Sequence, residues 1–196
     1  MGTPMKSLEG QLVTLRPIDV ERDSPEWFEA MQEHEMHLWT GNNIPIDVDE
    51  VRDVVLATYA NRSEIFAWCI KEYKTDTMVG IYWIGIPFMS DEHRLVTFDA
   101  QRIAKPFWRK GYTKEARSLV YQYAFTDLGV EEIRASAWEL NANSCLSMES
   151  AGFELVRSYP RFNSKYDSEL IEREYRLLRE KWQQLNGKPY GTNERL

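Results

Sequence analysis

Two stretches of the chain place apolar residues at the spacing of an amphipathic helix. After Gly111 these residues are Ala116, Leu119, Val120, Tyr123 and Ala124. The i, i+3, i+4, i+7, i+8 spacing predicts a helix that starts at Gly111, buries one face and ends near Gly129. Asp47, with Glu50 three residues later, predicts the start of another helix. Its apolar face would be formed by Val48, Val51, Val54, Val55 and Tyr59.

Seven other segments alternate in polarity or are rich in β-branched and aromatic residues, which predicts strands. These segments are 11–17, 65–71, 78–86, 94–104, 131–138, 153–159 and 171–178. Ser24 followed by Pro25 predicts the start of a first helix, and Asn141 begins a short helix that stops at Gly152. Strands that come first and then alternate with helices predict a mixed sheet with helices on both faces, an α/β or α+β fold.

The length and composition predict one globular domain. A chain of 196 residues suits a single core, and 43% hydrophobic with 13% aromatic residues excludes a disordered protein. We assign residues 1–182 to this domain and residues 183–196, which are polar and rich in turn formers, to a C-terminal tail. No apolar run is long enough to cross a bilayer, so no membrane partner is expected.

Charge and cysteine content restrict the setting and the partners. With 24 basic and 31 acidic residues the net charge is −7, which argues against nucleic acid as a partner. Cys69 and Cys145 lack the number and spacing of a disulfide framework or a zinc site, and no secretory signal precedes them. A reducing, cytoplasmic location is therefore expected. His34 and His37 lie one helical turn apart without further ligands, so no metal is expected.

The turn at Gly111 has the features of a phosphate-binding site. A strand-like segment leads into it and the predicted helix starts directly after it, so N–H groups without intrahelical partners and the positive end of the helix dipole meet there. Lys105, Arg109, Lys110 and Lys114 add positive charge around this point. The same local pattern also fits an ordinary strand-turn-helix with a basic surface.

Two motifs in a fixed order resemble those of the GNAT-type N-acetyltransferases. Residues 106–116 (PFWRKGYTKEA) resemble the acetyl-CoA cradle of this family, and Asn141–Ser144 followed by Gly152-Phe153 resembles its second motif. The resemblance covers nearly the whole chain and is closest to the branch that acetylates ribosomal-protein N-termini, the RimJ/RimL type. It implies a central, mostly antiparallel sheet of six to seven strands with about four helices on both faces, splayed at the cofactor site.

The cradle departs from the family pattern at two positions. Trp108 stands where the family commonly has Arg or Gln, so Arg109 and Lys110 must supply the charge near phosphate. Thr113 stands where the family commonly has Gly or Ala, but it still offers its backbone N–H. The cradle is therefore expected to bind through backbone N–H groups and neighbouring cations.

The resemblance implies an N-acetyltransferase that moves acetyl from acetyl-CoA to a primary amine by direct attack through a tetrahedral intermediate. The acceptor would be a protein N-terminus or a small amine, and the sequence leaves a homodimer open. Another acyl donor such as succinyl-CoA, or a non-catalytic acyl-CoA-binding module, remains an alternative. The implied cofactor-binding residues are Gln101, Ile103, Arg109, Lys110, Gly111, Tyr112, Thr113, Asn141 and Ser144.

Candidates for proton transfer follow from the same resemblance. Many family members have a tyrosine four residues before Gly-Phe as the acid for the leaving thiolate, but this chain has Met148 there. Ser144 is the first choice for that role, although its hydroxyl can equally cap the short helix. For the base the candidates are Asp99, Glu139 and Glu92, each of which can also be an ordinary surface charge.

An acceptor pocket is expected near the loop of residues 39–46, which is long enough to act as a lid. Trp39 lies in this loop, and Trp83 and Trp138 lie on the strands expected to bound the cleft. These three tryptophans either line an apolar acceptor pocket or pack in the core.

Overall fold

The structure is a computed structural model that describes residues 5–186, which form nine strands and six helices. The strands are β1 (Leu8–Glu9), β2 (Val13–Pro17), β3 (Ile65–Glu72), β4 (Met78–Gly85), β5 (Phe88–Met89), β6 (Leu95–Ile103), β7 (Glu132–Trp138), β8 (Glu154–Asn163) and β9 (Ser168–Leu178). The helices are α1 (Val20–Met31), α2 (Val48–Glu50), α3 (Ala57–Asn61), α4 (Tyr112–Gln122), α5 (Ala142–Ser150) and α6 (Arg179–Asn186). Because β1 and β5 have only two residues each, seven longer strands correspond to the six or seven predicted.

Shorter helical segments complete the secondary structure. A π-helical segment, Val51–Leu56, joins α2 to α3, and another, Tyr123–Asp127, extends α4. The segments His34–His37 and Lys105–Phe107 are 3-10 helices. The predicted helices at Asp47 and after Gly111 are therefore present, and each changes its hydrogen-bonding pattern partway along its length.

The chain divides into two compact units. The first contains residues 5–87 and 97–129, and the second contains residues 88–96 and 130–186. In the first unit the strand order is β1-β2-β3-β4-β6, and each neighbouring pair is antiparallel. The predicted mixed, mostly antiparallel α/β fold is confirmed. The assignment of residues 1–182 to one domain and the splay at the cofactor site stay predictions.

Helices cover both faces of the sheet in the first unit. Trp68 and Cys69 follow each other in β3, so their side chains point to opposite faces. Cys69 belongs to a core cluster with Trp27 of α1 and Leu56, whereas the Trp68 ring meets the Tyr123 ring edge-on at 5.7 Å. Helix α1 and the α2–α3 segment therefore cover one face, and α4 with its extension covers the other.

The second unit contains a smaller antiparallel sheet in the order β7-β9-β8. The N–H of Glu131, just before β7, donates to the carbonyl of Leu95 at 2.8 Å, which attaches the start of β6 to this sheet. Gly152 follows α5 with φ of 92°, and a Cβ there would lie 2.3 Å from Leu185 of α6. The left-handed backbone at this position favours glycine.

The start of α1 differs from the prediction. The helix begins at Val20, where the Asp19 carboxylate caps it by accepting from the N–H of Arg22 at 3.1 Å. Ser24, the predicted cap, lies inside the helix and donates its hydroxyl to the carbonyl of Val20. At the other predicted start, the Asp47 carboxylate accepts from the N–H of Glu50 at 2.8 Å, as expected.

The chain is helical across the predicted C-terminal boundary of the domain, and that boundary stays a prediction. Helix α6 extends from Arg179 to Asn186 and so passes the predicted end of the domain at residue 182. Trp182 is buried and anchors this helix in the second unit. Residues 187–196 of the predicted tail lie outside the described part. Of the helices in residues 5–186, none is long and apolar enough to span a bilayer.

Candidate acetyl-CoA site

The turn before α4 presents an open helix N-terminus. Arg109 and Gly111 have φ of 60° and 89°, and Gly111 is the N-cap residue. Among the described residues, no side chain makes a capping hydrogen bond at this cap. A left-handed residue followed by a helical one turns successive N–H groups to one side, a concave arrangement that binds anions. The predicted cradle residues Arg109 to Thr113 thus form one continuous turn.

The charges around this turn are fewer than the sequence indicated. The Lys105 ammonium pairs with the carboxylates of Glu33 at 3.0 Å and Glu35 at 3.2 Å, so its charge is neutralised beside the 3-10 helix. Arg109 and Lys110 are exposed next to Gly111. Together with Lys114, which is exposed in the first turn of α4, they remain the cations that can approach a phosphate at the helix N-terminus.

Trp108 has a structural role. Its indole N–H donates to the carbonyl of Ile103 at 2.7 Å, and its ring packs against the core cluster of the first unit. The residue therefore fixes the turn to the end of β6. This explains why tryptophan is tolerated at a position where the family commonly has a polar or charged residue.

Glu115 fastens the β1–β2 turn to the first turn of α4. Its carboxylate accepts from the N–H groups of Gln11, Leu12 and Val13 at 3.0, 2.7 and 2.8 Å. A Cβ on Gly10 would lie 2.7 Å from this carboxylate, so the turn needs glycine. The three donors compensate the acidic charge, which otherwise would oppose an anion at the same helix end.

Tyr112, the first residue of α4, is fixed by two neighbours. Its hydroxyl donates to the carboxylate of Glu72, and its ring meets that of Phe107 edge-on at 5.2 Å. Hydrogen bonds from Thr75 and then Tyr112 lower the pKa of Glu72, and the same bond raises the pKa of Tyr112. The side chain therefore stabilises the helix start, while its backbone N–H belongs to the open turn.

In the second unit, Asn141 and Ser144 lie together at the start of α5. The Asn141 side-chain oxygen accepts from the N–H of Ser144 at 3.3 Å, so Asn141 is the helix cap. Ser144 lies one turn into the helix and is half-buried. Its hydroxyl is therefore not needed as the cap, which was the alternative role considered for it.

The second motif forms the predicted helix end. Gly152 is left-handed, and the N–H of Phe153 donates to the carbonyl of Met148 at 3.1 Å, which closes α5. Phe153 is buried at 5% exposure and Met148 at 2%. The thioether of Met148 has no proton to give, so an acid for the thiolate must come from another residue.

Asp99 is buried in a polar cluster below α4. Its carboxylate accepts from the Tyr82 hydroxyl and, at 2.9 Å, from the Tyr121 hydroxyl. Burial raises the pKa of Asp99, while the charge of Arg117 and the two hydroxyls oppose the rise. Because Tyr82 and Trp83 are consecutive in β4, the carboxylate and Trp83 lie on opposite faces of the sheet.

The other two base candidates lie in the second unit and are exposed. Glu139 follows β7, and its carboxylate pairs with the guanidinium of Arg173 at 2.7 Å. Glu92 lies in the loop between β5 and β6. The carboxylate of Glu139 therefore has a fixed orientation together with access to solvent.

Gln101 and Ile103, the remaining predicted cofactor residues, flank Arg102 near the end of β6. Tyr82 lies opposite Gln101 and Gly80 lies opposite Ile103 in the register with β4. A Cβ on Gly80 would lie 2.1 Å from the Arg102 carbonyl, so the two strands approach closely there. Their part in binding the pantetheine arm stays a prediction.

Sequence reasoning missed Arg117 of the polar cluster. Arg117 is 7% exposed and lies one turn before Tyr121 on α4. A pattern built from apolar positions omits a buried arginine, although its i, i+4 spacing to Tyr121 was a usable signal. Within residues 5–186, no group of three or more His, Cys, Asp and Glu side chains is arranged to hold a metal ion.

Comparison with known proteins places these features in one family. Residues 13–154 match the family described as the acetyltransferase (GNAT) domain. The chain is 25% identical over 185 residues to an uncharacterised N-acetyltransferase, p20, of Bacillus licheniformis, covering 87% of this chain and 99% of that protein. It is 33% identical over 99 residues to FsC-acetyl coenzyme A-N(2)-transacetylase of Aspergillus fumigatus, covering 48% of this chain and only 40% of that protein.

The fold also matches a solved structure, that of Mycobacterium smegmatis RimJ in complex with CoA-disulfide. The TM-score is 0.77 at 18% identity, and the match covers 94% of this chain and 91% of that one. At this level of identity the likeness supports the fold alone.

Proposed function

The chain belongs to the GNAT family of acetyltransferases, and on that premise we propose that it transfers the acetyl group of acetyl-CoA to a primary amine. The observation that carries the proposal is the open N-terminus of α4, where Gly111 is left-handed and, within the described residues, no side-chain cap covers the N–H groups. A helix end of this kind suits a pyrophosphate.

The residues at this turn fit acetyl-CoA. The N–H groups of Gly111, Tyr112 and Thr113 would hold the pyrophosphate, with Arg109 and Lys110 beside it. Gln101 and Ile103 would pair with the pantetheine amides, and Asn141 would donate to the same arm. When bound, acetyl-CoA supplies a thioester that a neutral amine can attack.

For the leaving thiolate we assign Ser144 as the proton or hydrogen-bond donor. Two observations support this role: Asn141 already caps α5, and Met148 offers no proton. Ser144→Ala is expected to lower kcat with little change in the affinity for CoA. Unchanged kcat would remove Ser144 from this role.

For the base we assign Glu139 ahead of Asp99 and Glu92. A base must reach the amine directly or through one water, and Glu139 is both exposed and oriented by Arg173. The carboxylate of Asp99 is instead engaged by two tyrosine hydroxyls. Glu139→Gln is therefore expected to lower kcat/KM on the order of 100-fold, as the loss of a general base does, whereas Asp99→Asn is expected to affect mainly stability.

The acceptor is a protein N-terminus or a small amine. The name of the Aspergillus relative, an N(2)-transacetylase, indicates a nitrogen acceptor. The chain spans less than half the length of that relative, so its acceptor does not transfer directly.

Release of free thiol from acetyl-CoA, measured with a panel of peptides and small amines, tests the proposal. Turnover that requires both acetyl-CoA and an amine supports it. CoA binding without turnover on any amine would instead favour a non-catalytic binding module. Absence of CoA binding would contradict the cradle itself.

A further inference from the structure

Arg102 of the first unit is a buried cation without a compensating anion. It lies on β6 opposite Ile81 of β4 and is 8% exposed. Among residues 5–186, no carboxylate forms an ion pair with it, and burial lowers the pKa of its guanidinium. A buried charge is costly unless it is paired. Its retention therefore needs an explanation that the proposed acetyl-CoA site does not give.

The partner of Arg102 is a neutral group with the shape of a carboxylate. With its amide oxygen facing the guanidinium, Asn42 accepts from Nη1 and Nη2 of Arg102 at 3.0 and 3.1 Å. A single amide oxygen thus accepts from both terminal nitrogens, and a carboxylate, which has two oxygens, can accept from the same donors bidentately. The amide satisfies the donors but leaves the positive charge uncompensated.

Asn42 belongs to the loop of residues 39–46, for which the sequence predicted a lid. The loop joins the 3-10 helix His34–His37 to α2. Its apolar residues Ile44 and Ile46 are 39% and 88% exposed, so moving them breaks few apolar contacts. Exchange of Asn42 for a ligand at Arg102 requires the Asn42 side chain to turn away, while the buried Pro45, whose carbonyl accepts from the Gln32 side chain at 3.3 Å, holds the far end of the loop.

Arg102 shares its face of the sheet with a cavity. Side chains alternate along a strand, so Phe98, Ala100 and Arg102 point to one side of β6. Phe98 and Ala100, with Trp83, line a cavity of about 260 Å³. The Tyr59 ring lies 4.8 Å from the Trp83 ring and extends this aromatic lining. The cavity and the guanidinium therefore lie on the same face of β6.

We propose that Arg102 and Asn42 form a subsite for the carboxylate of a substrate, in which the carboxylate takes the place of the Asn42 amide oxygen on the guanidinium. This inference rests on the proposed acyltransferase function. The carboxylate belongs either to the amine acceptor or to a dicarboxylic acyl group on the donor, such as succinyl-CoA. Both sources present the same chemistry to Arg102.

Binding of succinate tests the subsite without any turnover. Titration followed by NMR, with and without CoA, is expected to show binding of succinate and none of neutral succinamide. Arg102→Gln is expected to abolish the binding. Equal binding of the two compounds, no binding of succinate, or unchanged binding in Arg102→Gln would overturn the proposal.

Asn42→Asp provides a second variant that keeps Arg102 in place. Its own carboxylate is expected to occupy the guanidinium, raise the melting temperature and abolish succinate binding. Asn43→Asp makes the same charge change at the exposed neighbouring position. This control is expected neither to raise the melting temperature nor to abolish succinate binding. Identical behaviour of the two variants would contradict the subsite.

Two pairs of substrates show whether the carboxylate belongs to the amine acceptor or to the acyl group of the donor. With acetyl-CoA, β-alanine is compared with β-alaninamide; with a neutral amine, succinyl-CoA is compared with butyryl-CoA. In one of the two pairs, the substrate with the carboxylate is expected to have a kcat/KM higher on the order of 100-fold, because hydrogen bonds to a charged group contribute about this much. The Arg102→Gln variant is expected to lose this preference. Turnover without a preference in either pair overturns the subsite alone. Absence of all turnover contradicts the proposed function, and succinate binding then still decides the subsite.

Discussion

The N-termini of α4 and α5 differ in how their backbone N–H groups are satisfied. At α5 the side chain of Asn141 accepts from the N–H of Ser144 at 3.3 Å, so the helix supplies its own cap. At α4 the cap residue is Gly111, and no described side chain caps the backbone N–H groups there. The two helices belong to different units, and each start is fixed by residues close to it in the sequence.

The difference indicates which helix end is available to a ligand. A glycine cap offers no side-chain acceptor, so the N–H groups of α4 stay open to an external acceptor. Asn141 stabilises α5 and leaves the hydroxyl of Ser144, one turn later, for another role. The N-terminus of α4 therefore suits an anion, whereas the N-terminus of α5 presents the side chains of Asn141 and Ser144.

The largest expected effect comes from closing the open end of α4. Gly111→Val adds a branched side chain at φ of 89° in front of the N–H groups, and several charge-assisted hydrogen bonds to pyrophosphate would be lost. We expect CoA affinity, measured by calorimetry, to fall more than about 100-fold. Circular dichroism checks that the variant is folded, and a folded variant with unchanged affinity would show that the cradle is misassigned.

Removing the cap of α5 is expected to weaken CoA binding less than Gly111→Val does, through one hydrogen bond to the pantetheine arm, and to lower the stability of the protein. Asn141→Ala should lower the free energy of unfolding by about 1 kcal/mol in urea denaturation, because one helix cap is lost. Asn141→Asp should restore it, since aspartate caps equally well. If Asn141→Ala is as stable as the parent protein, the hydrogen bond to Ser144 has no energetic role.

Two lysines near the open end sharpen the contrast further. Lys110→Gln should weaken CoA binding roughly 3-fold at low salt, and less at high salt, because an exposed charge near the pyrophosphate is lost. Lys105→Gln is the matched control, since Lys105 already pairs with Glu33 and Glu35. Equal losses in the two variants would argue against this distinction.

The smallest effect concerns the bond between Tyr112 and Glu72, and it depends on pH. The pKa of Glu72 is lowered in the folded state, so its stabilisation is present above the ordinary carboxyl value of about 4.3 and is lost as pH falls through the lowered value. Glu72→Gln should therefore melt slightly lower than the parent at pH 7, with a smaller gap at pH 3. Calorimetric melting temperatures that differ equally at both pH values would contradict this link.

Local patterns predicted the elements that hold the site, because those elements are specified by nearby residues. The turn before α4 follows from Gly111 and the apolar spacing after it, and the end of α5 follows from Gly152 and Phe153. The match of residues 13–154 to the acetyltransferase (GNAT) domain confirms the family that these motifs indicated. The start of α1 was misassigned because Ser24-Pro25 imitates a cap, whereas Asp19 makes the observed one.

Contacts between distant parts of the chain could not be predicted. Asp99 was chosen as a base from its strand, but the hydroxyls that surround it come from β4 and α4. Lys105 was counted among the cations around the turn, and its pairing with Glu33 depends on how the 3-10 helix docks. Arg102 occupies an unremarkable alternating position, and only the fold reveals that it is buried opposite Asn42.

The central claim is that Gly111 keeps an anion-binding helix end open, and a pair of alanine variants tests it most directly. Gly111 and Gly129 both have positive φ, and an added Cβ meets only Leu12 at 3.7 Å in the first case and nothing within 4 Å in the second. Each alanine should therefore cost about 1–2 kcal/mol of stability through backbone strain. In calorimetric titration with CoA, Gly111→Ala should bind at least about 10-fold more weakly than Gly129→Ala, by loss of hydrogen bonds at the helix end. Equal affinities in the two variants would contradict the account.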